Sequence, residues 1–287
     1  MSPSARTTGW WPGSGTRLLA VLGHPVAHSL SPVMHNAALA AADLDLAYVA
    51  IDVPPDHLDD ALAGLPALGF VGCNVTVPHK QAVLAACASL GPEAREIGAV
   101  NTISVTPDGL HGDNTDAAGF LEGLPGDLSA GTAVVFGAGG AARAVVVALA
   151  RRGWDVAVVA RRGDQAVGLA RDLAGPSMAV AGYGLELLSD LVGTADLVVN
   201  ATPLGLQHEP LPAPLMGLDG GQVAYDLVYN PPDTLFLTAA RAAGAVAVNG
   251  LAMLVGQAAV AFETWTGTPP DRDVMRAAAR RALAARP

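Results

Sequence analysis

The segment spanning residues 132–162 constrains the fold of this chain more than any other part of the sequence. It reads TAVVFGAGGAARAVVVALARRGWDVAVVARR, which is an apolar strand, a glycine turn, an Ala- and Val-rich helix and a second apolar strand. Strand, helix and strand joined by short connections predict a right-handed crossover between two parallel strands. The chain is therefore predicted to have an α/β fold built on a parallel sheet.

The glycine turn of this segment has the features of a dinucleotide-binding loop. Gly137 allows the tight turn, Gly139 allows a pyrophosphate to approach the backbone, and Ala142 lets the helix pack close to the strand. The N-terminus of the helix attracts phosphate groups. Glycines also occur in ordinary loops, but the position between a strand and a helix favours a nucleotide. The predicted pyrophosphate-binding residues are Gly137, Ala138, Gly139, Gly140 and Ala141.

The end of the second strand predicts which nucleotide is bound. An acidic residue there would hold the free ribose hydroxyls of NAD, whereas arginine accepts the 2′-phosphate of NADP. This chain has Arg161 and Arg162 at that point, and guanidinium groups pair well with phosphate oxygens. A solvated loop with two exposed arginines is the alternative interpretation. The position favours NADP(H) as the cofactor.

A second set of strands and helices precedes this segment and predicts a separate domain. Apolar runs at 18–22, 47–53 and 71–75 alternate with helix-like stretches at 32–42 and 58–65. We also expect a helix that begins at Pro78 and a strand at 100–105 that leads into a hairpin at the sheet edge. The predicted fold is a two-domain α/β architecture: an N-terminal substrate-binding domain with a parallel or mixed sheet, a Rossmann NADP-binding domain, and a cleft between them.

Further apolar runs complete the predicted Rossmann sheet and set the domain boundaries. Strands are expected at 197–200, 223–227 and 246–249, followed by Ala-rich helices from Leu251 that return to the first domain. The predicted boundaries are a flexible tail at 1–17, a substrate-binding and catalytic domain at 18–116, the NADP-binding domain at 117–249 and the returning helices at 250–287.

Composition excludes several classes of partner. A net charge of -10 and an isoelectric point near 5.0 argue against nucleic acids and anionic membranes, which need clustered Lys and Arg. No apolar run is long enough to span a bilayer, and the N-terminus lacks the apolar stretch of a signal peptide. Two cysteines without a disulfide pattern fit a reducing compartment, so we expect a cytoplasmic protein with small-molecule partners. The N-x-T triplets at Asn74 and Asn200 then need an explanation other than glycosylation.

Polar residues cluster where most of the predicted strands end. The four segments are HSLSPVMHN at 28–36, NVTVPHK at 74–80, AVNT at 99–102 and GDNTDAAGF at 112–120. Ligands of open parallel sheets bind at the carboxyl ends of the strands. Hydroxyl, amide, ammonium and carboxylate groups gathered there could bind a polyhydroxylated acid.

Together with NATPLG at 200–205, YDLVYNP at 225–231 and NGLAMLVGQAAVAFETWTG at 249–267, these segments resemble the shikimate dehydrogenase family from about residue 23 to 267. The resemblance implies reversible NADPH-dependent reduction of 3-dehydroshikimate to shikimate, an oxidoreductase step at a CH–OH group in the chorismate route to aromatic amino acids. It also implies a monomer or homodimer.

The resemblance assigns site residues one by one. Lys80 and Asp116 would form the catalytic pair, and Leu227 and Gly250 would lie near the nicotinamide. The implied substrate-binding residues, beginning with the two serines that would bind the carboxylate, are Ser29, Ser31, Thr76, Asn101, Tyr229 and Gln257.

The chemistry of the catalytic pair leaves alternatives open. Oxidation of a carbinol needs a group that takes the hydroxyl proton, and Lys80 can serve if burial lowers its pKa, although a nearby carboxylate would raise it. Asp116 could instead orient the ammonium group and the substrate hydroxyl. From the residues alone, Lys80 would be a solvated first-turn lysine, Asp116 and the serines would be helix caps, and Gln257 would be a core amide.

Other functions are weighed against this one. His24, His28 and His35 raise the possibility of a metal, but no cysteine or carboxylate cluster accompanies them, and we expect no metal site. The family's NADP loop often has a second basic residue where this chain has Gln165. The alternatives are a quinate/shikimate or aminoshikimate-type dehydrogenase, and, more remotely, a non-catalytic nucleotide sensor on the same fold.

Overall fold

The computed structural model describes residues 12–175 and 178–285. In chain order, the first elements are β1 (Arg17–Gly23), α1 (Ser31–Ala41), β2 (Leu46–Asp52), α2 (Leu58–Ala67), β3 (Phe70–Val75), β4 (Ser89–Leu90), α3 (Pro92–Ile97), β5 (Thr102–Thr106), β6 (Gly109–Asp113) and α4 (Asp116–Gly123). The chain continues with β7 (Thr132–Phe136), α5 (Gly140–Ala150), β8 (Asp155–Val159), α6 (Gly163–Leu173), β9 (Val180–Tyr183), α7 (Leu188–Val192), β10 (Leu197–Asn200), β11 (Val223–Asp226), α8 (Leu235–Ala242), β12 (Val246–Asn249), α9 (Leu251–Thr266) and α10 (Arg272–Ala284). The predicted α/β class with two sheets is confirmed.

The described residues divide into two compact units. Unit 1 holds residues 12–90, 100–112 and 258–285, and unit 2 holds residues 91–99 and 113–257. The predicted boundary at 116 therefore differs from the observed division. Helix α3 belongs to unit 2 because Arg143 donates to the Ile97 carbonyl and Arg151 pairs with Glu93 and Glu96, at 2.9 and 2.5 Å.

Unit 1 is built on a mixed six-stranded sheet in the order β2-β1-β3-β5-β6-β4. Strand β1 pairs parallel with β2 and β3, whereas β5 runs antiparallel to β3. Helix α10 packs against α1, as expected for a C-terminal helix that returns to this unit. The hairpin of β5 and β6 is not the sheet edge that we expected, because β4 pairs with β6 on its outer side.

Unit 2 is built on a parallel six-stranded sheet in the order β12-β11-β10-β7-β8-β9. Its central strands are buried on both faces, which explains their unbroken apolar sequences. Ala133 and Val135 enter one hydrophobic core, whereas Val134 and Phe136 enter another. Every residue of α5 from Ala142 to Ala150 is buried, so this helix forms the centre of the first core.

Two local predictions need correction or completion. No α-helix begins at Pro78: residues 78–81 form turns, followed by a 3-10 turn at Ala82–Ala86. The Lys80 carbonyl accepts from the Val100 N–H at 2.7 Å, a bond to another segment that replaces a bond within a helix. Of the predicted N-terminal tail, residues 1–11 lie outside the described chain, while Arg17 already belongs to β1 and the Thr16 hydroxyl donates to Asp45 at 2.8 Å.

Candidate active site

Five predicted site residues of unit 1 gather at one edge of its sheet. Ser29 and Ser31 follow β1, and Thr76 and Lys80 follow β3, its parallel neighbour. Asn101 directly precedes β5, whose Thr102 pairs with Asn74 at the end of antiparallel β3. The carboxyl ends of β1 and β3 and the start of β5 therefore meet at the same edge.

Backbone hydrogen bonds fix these segments to one another. The Thr76 N–H donates to the Leu22 carbonyl at 2.9 Å, and the Val75 N–H donates to the Asn101 carbonyl at 2.8 Å. The Ser29 hydroxyl accepts from the Ser31 N–H at 3.2 Å. Lys80 is partly exposed. Its carbonyl accepts from the N–H of Val100, the residue before Asn101, and this bond holds the two segments together.

A buried polar network lies behind this edge. The Tyr48 hydroxyl is hydrogen-bonded with Ser31 and donates to Asn74 Oδ1 at 2.7 Å. Asn74 Nδ2 donates to the Asn101 carbonyl at 3.1 Å and to the Thr102 hydroxyl at 3.2 Å. The Thr102 hydroxyl donates in turn to Asn101 Oδ1 at 2.9 Å. Tyr48 and Asn74 thus connect Ser31 and Asn101, two predicted substrate-binding residues. The asparagine of the first N-x-T triplet, Asn74, is a buried side chain with a structural role.

Two of the three histidines considered for a metal, His24 and His35, contact other side chains of unit 1. His35 is fully buried and stacks in parallel on Tyr48 with a ring-centroid distance of 4.2 Å. Burial lowers the pKa of His35 to about 3, so its imidazole is neutral at physiological pH. His24 instead pairs with Asp52 at 3.1 Å. No group of three or more His, Cys, Asp or Glu side chains within the described residues could hold a metal ion.

The predicted nucleotide loop of unit 2 has the geometry that a dinucleotide requires. Gly137 has φ +123°, and a Cβ there would lie 3.0 Å from the Ala201 carbonyl oxygen. A Cβ on Gly139 would have no heavy atom within 4 Å, so the backbone faces open space at this position. Helix α5 begins at Gly140, directly after this turn, and buries Ala142 against the sheet. The loop fits a pyrophosphate at a helix N-terminus.

Arg161 and Arg162 follow β8, the neighbour of the strand that leads into this loop. Both side chains are exposed, and neither forms an ion pair or a side-chain hydrogen bond with any residue between 12 and 285 that the structure describes. Their guanidinium groups are available for a phosphate beside β8. The Gln165 N–H donates to the Arg162 carbonyl, within the first turn of α6.

The ends of β10 and β11 carry two buried polar residues, Asn200 and Asp226, whose roles were not predicted from the sequence. Asn200 Oδ1 accepts from the Thr202 N–H and hydroxyl, and its Nδ2 donates to the Leu204 carbonyl and to Asp226. The asparagine of the second N-x-T triplet, Asn200, therefore also has a structural role as a buried side chain. Burial raises the pKa of Asp226 to about 6.

Leu227 and Gly250, the predicted nicotinamide neighbours, lie side by side. The Leu227 N–H donates to the Asn200 carbonyl at 3.0 Å, and the Gly250 N–H donates to the Val228 carbonyl at 3.2 Å. A Cβ on Gly250 would overlap the Leu227 carbonyl oxygen, so only glycine fits at this position.

The remaining predicted site residues also lie in unit 2. Asp116 is buried at the start of α4, and its N–H donates to Asn114 Oδ1 at 2.9 Å. Gln257 lies on α9 and donates to the Leu254 carbonyl at 2.8 Å, close to Gly119 of α4. Tyr229 is partly exposed beyond β11. Of the predicted catalytic pair, Lys80 belongs to unit 1 and Asp116 to unit 2.

Four polar residues behind these sites were not predicted from the sequence: Tyr48, Asn74, Asn200 and Asp226. Each stands within a run that otherwise predicts a buried strand, so polarity inside an apolar run was the available signal. Tyr48 was the hardest to find, because aromatic residues are common in strands for packing alone.

Comparisons with known proteins agree with the geometry. A family model for the shikimate dehydrogenase substrate-binding domain matches residues 21–103, and one for the C-terminal domain of shikimate 5'-dehydrogenase matches residues 250–280. A Salinibacter ruber protein named shikimate dehydrogenase (NADP(+)) is 50% identical over 283 residues, which cover 94% of this chain and 98% of that protein.

Two solved structures are similar over almost the whole chain. Shikimate 5-dehydrogenase from Thermus thermophilus, in complex with NADP(H) and shikimate, has a TM-score of 0.83 at 43% identity and covers 93% of this chain and 100% of its own. Quinate dehydrogenase from Corynebacterium glutamicum, in complex with NAD, has a TM-score of 0.82 at 34% identity and covers 92% of this chain and 98% of its own.

Proposed function

Because this chain belongs to the shikimate dehydrogenase family, we propose that it catalyses the reversible NADP-dependent interconversion of shikimate and 3-dehydroshikimate. The observation that carries this proposal is the gathering of Ser29, Ser31, Thr76, Lys80 and Asn101 at one edge of the unit 1 sheet. A polyhydroxylated acid needs many hydrogen-bond partners, and these side chains supply hydroxyl, amide and ammonium groups.

The substrate carboxylate is assigned to Ser29 and Ser31. The Ser31 hydroxyl is hydrogen-bonded with Tyr48, which is bonded in turn to Asn74, so its position does not depend on the ligand. A side chain that is already held in place loses less conformational entropy on binding, and the Ser31 hydroxyl hydrogen turns from the Tyr48 oxygen to the carboxylate. Thr76 and Asn101 are assigned to the substrate hydroxyls, and the family resemblance proposes the same role for Tyr229 and Gln257.

Bound NADP supplies the acceptor for the hydride, and the chain must handle the accompanying proton. Lys80 takes the proton of the reacting hydroxyl as shikimate is oxidised and returns it as the ketone is reduced. Its backbone is fixed to Val100, which holds the side chain at the edge where the substrate is assigned. The family resemblance assigns Asp116, a buried residue at the start of α4, as the second member of the pair.

The preference for NADP over NAD is assigned to Arg161 and Arg162. Two exposed guanidinium groups directly after β8 supply charge-assisted hydrogen bonds to a 2′-phosphate. The pyrophosphate is assigned to residues 137–141 at the N-terminus of α5.

A second candidate is quinate dehydrogenation, which is supported by the similarity to the Corynebacterium glutamicum enzyme. Quinate carries an additional hydroxyl on the carbon that bears its carboxylate, so the space beside Ser29 and Ser31 decides between the two acids.

Initial rates of oxidation test the proposal. Shikimate and quinate are each supplied with NADP and with NAD, and formation of the reduced cofactor is followed by absorbance. The proposal predicts that kcat/KM is highest for shikimate with NADP. If quinate or NAD gives the higher value, the fold assignment stands and the substrate assignment falls. If no combination turns over, a nucleotide sensor becomes the better account.

The compartment and the oligomeric state stay predictions. No helix within the described residues is long and apolar enough to cross a membrane. We propose a cytoplasmic enzyme that is a monomer or a homodimer, on the basis of its two free cysteines and of its family.

A further inference from the structure

Asp226 is a fully buried carboxylate whose contacts are all uncharged. Its Oδ1 accepts from Asn200 Nδ2 at 2.9 Å and from the Val228 N–H at 3.0 Å. Its Oδ2 accepts from the Thr234 hydroxyl at 2.7 Å. Within the part of the chain that the structure describes, no cationic side chain pairs with it. Burial without a cationic partner raises the pKa of this carboxyl to about 6.

The hydrogen bonds around Asp226 do not require a negative charge. An asparagine would keep an acceptor oxygen for Asn200 and Val228 and would place an N–H toward the Thr234 hydroxyl. That hydroxyl already accepts from the Leu237 N–H at 3.3 Å and has a second lone pair. A neutral side chain would therefore keep three hydrogen bonds at this position, with the direction of the bond to Thr234 reversed, and without the desolvation of a charge. Polar groups that lower stability without a structural need are expected at functional sites.

The position of Asp226 indicates what the charge acts on. Its Oδ1 accepts from the Val228 N–H, and the Val228 carbonyl accepts in turn from the Gly250 N–H. Leu227, which lies between Asp226 and Val228, donates its N–H to the Asn200 carbonyl. Leu227 and Gly250 are the residues that the proposed function assigns to the nicotinamide. The carboxylate thus lies one residue before the segment assigned to that ring.

The two states of the cofactor differ in charge at that ring. The oxidised nicotinamide carries a positive charge, which is lost when the ring accepts a hydride. A fixed negative charge nearby stabilises the oxidised form and leaves the energy of the neutral form almost unchanged. We propose that the carboxylate of Asp226 selectively strengthens binding of NADP⁺ over NADPH, and so shifts the equilibrium on the enzyme toward ketone reduction and oxidised cofactor. This inference rests on the proposed function.

Binding measurements on the whole protein test this inference without turnover. Dissociation constants for NADP⁺ and for NADPH are measured at pH 8 by calorimetry for the wild type and for Asp226→Asn. The variant is expected to lose roughly tenfold in NADP⁺ affinity, because the attraction between one unit of negative charge and the cationic ring is removed. Its NADPH affinity is expected to change less than about threefold, because the reduced nicotinamide ring is neutral and interacts only weakly with the Asp226 charge.

Two controls separate charge from position. Asp190→Asn removes an exposed carboxylate of the same unit and is expected to change neither constant. Thr234→Val removes the hydrogen bond to Asp226 and the N-cap bond to Leu237 but keeps the Asp226 charge, so it is expected to leave the ratio of the two constants unchanged. Equal losses for both cofactor forms in Asp226→Asn, or no loss for either, overturn the inference.

A measurement on the wild type keeps the inference testable if Asp226→Asn does not fold. The ratio of NADPH to NADP⁺ dissociation constants is expected to fall as the pH is lowered from 8 to 5, because the carboxylate becomes protonated. The 2′-phosphate and pyrophosphate are common to both forms and cancel from this ratio. A ratio that is independent of pH overturns the inference. Failure of the wild type to bind either form would instead refute the proposed function.

Discussion

The buried carboxylate of Asp226 makes the stability of the protein depend on pH. Its pKa is about 6 in the folded protein and 3.8 in the unfolded reference. A carboxyl whose folded pKa is raised favours the folded state most when it is protonated, so its contribution is fully present below pH 3.8. That contribution is lost as the pH rises through 6.

The size of the effect follows from the two pKa values. The shift of about two pKa units corresponds to about 3 kcal/mol once the carboxyl is ionised in both states. Between pH 4 and pH 8, the free energy of unfolding of the wild type should fall by about 2 kcal/mol relative to Asp226→Asn, which cannot titrate at this position. Most of this relative change should occur below about pH 6.

Urea unfolding at a series of pH values measures the difference. The free energy of unfolding is determined for the wild type and for Asp226→Asn, and the wild-type value minus the variant value is plotted against pH. Asp190→Asn serves as the control, because its carboxyl is exposed and the corresponding difference should stay flat. A difference for Asp226→Asn that is independent of pH, or one that rises toward pH 8, would refute the reasoning.

Three further predictions concern the cofactor loop, the arginines and the buried network. Replacing both Arg161 and Arg162 by alanine should raise the KM for NADP by roughly 10- to 100-fold and change the KM for NAD little; comparable increases for both cofactors would argue against a 2′-phosphate contact. Gly137→Ala should destabilise the protein by about 1–3 kcal/mol in thermal unfolding, because of its positive φ and its contact with the Ala201 carbonyl; unchanged stability would contradict the loop geometry. Tyr48→Phe should raise the KM for shikimate several-fold while the KM for NADP stays constant, and it should lower stability by about 1–2 kcal/mol by leaving an acceptor of Asn74 unpaired. Equal effects on both KM values would show that Tyr48 has only a structural role.

Sequence predicted the sheet of unit 2 well, because its strands are buried on both faces. The runs at 132–136, 197–200 and 246–249 coincide with β7, β10 and β12. Strand β9 escaped prediction because it is short and partly exposed, so its sequence lacks an unbroken apolar run. The helix expected at Pro78 failed for another reason: the Lys80 carbonyl bonds across the chain to Val100, a tertiary contact that no local pattern reveals.

The site was predictable where polar residues follow strands and unpredictable where they lie within them. Ser29, Thr76 and Lys80 follow apolar runs, so their position at a sheet edge could be inferred. Asn74 and Asp226 are the last or next-to-last residues of buried strands, and their partners come from other elements. Which groups such residues bind depends on strand order, and that order became visible only in the structure.

The central claim is that Lys80 transfers the proton of a substrate bound at the edge of the unit 1 sheet. The most direct test measures kcat for shikimate oxidation with NADP, and the dissociation constant of shikimate, in the wild type and in Lys80→Met. The account predicts a loss in kcat of roughly 10²- to 10⁴-fold, with a dissociation constant that changes only a few-fold. A variant that keeps its kcat, or that loses activity only because shikimate no longer binds, would contradict it.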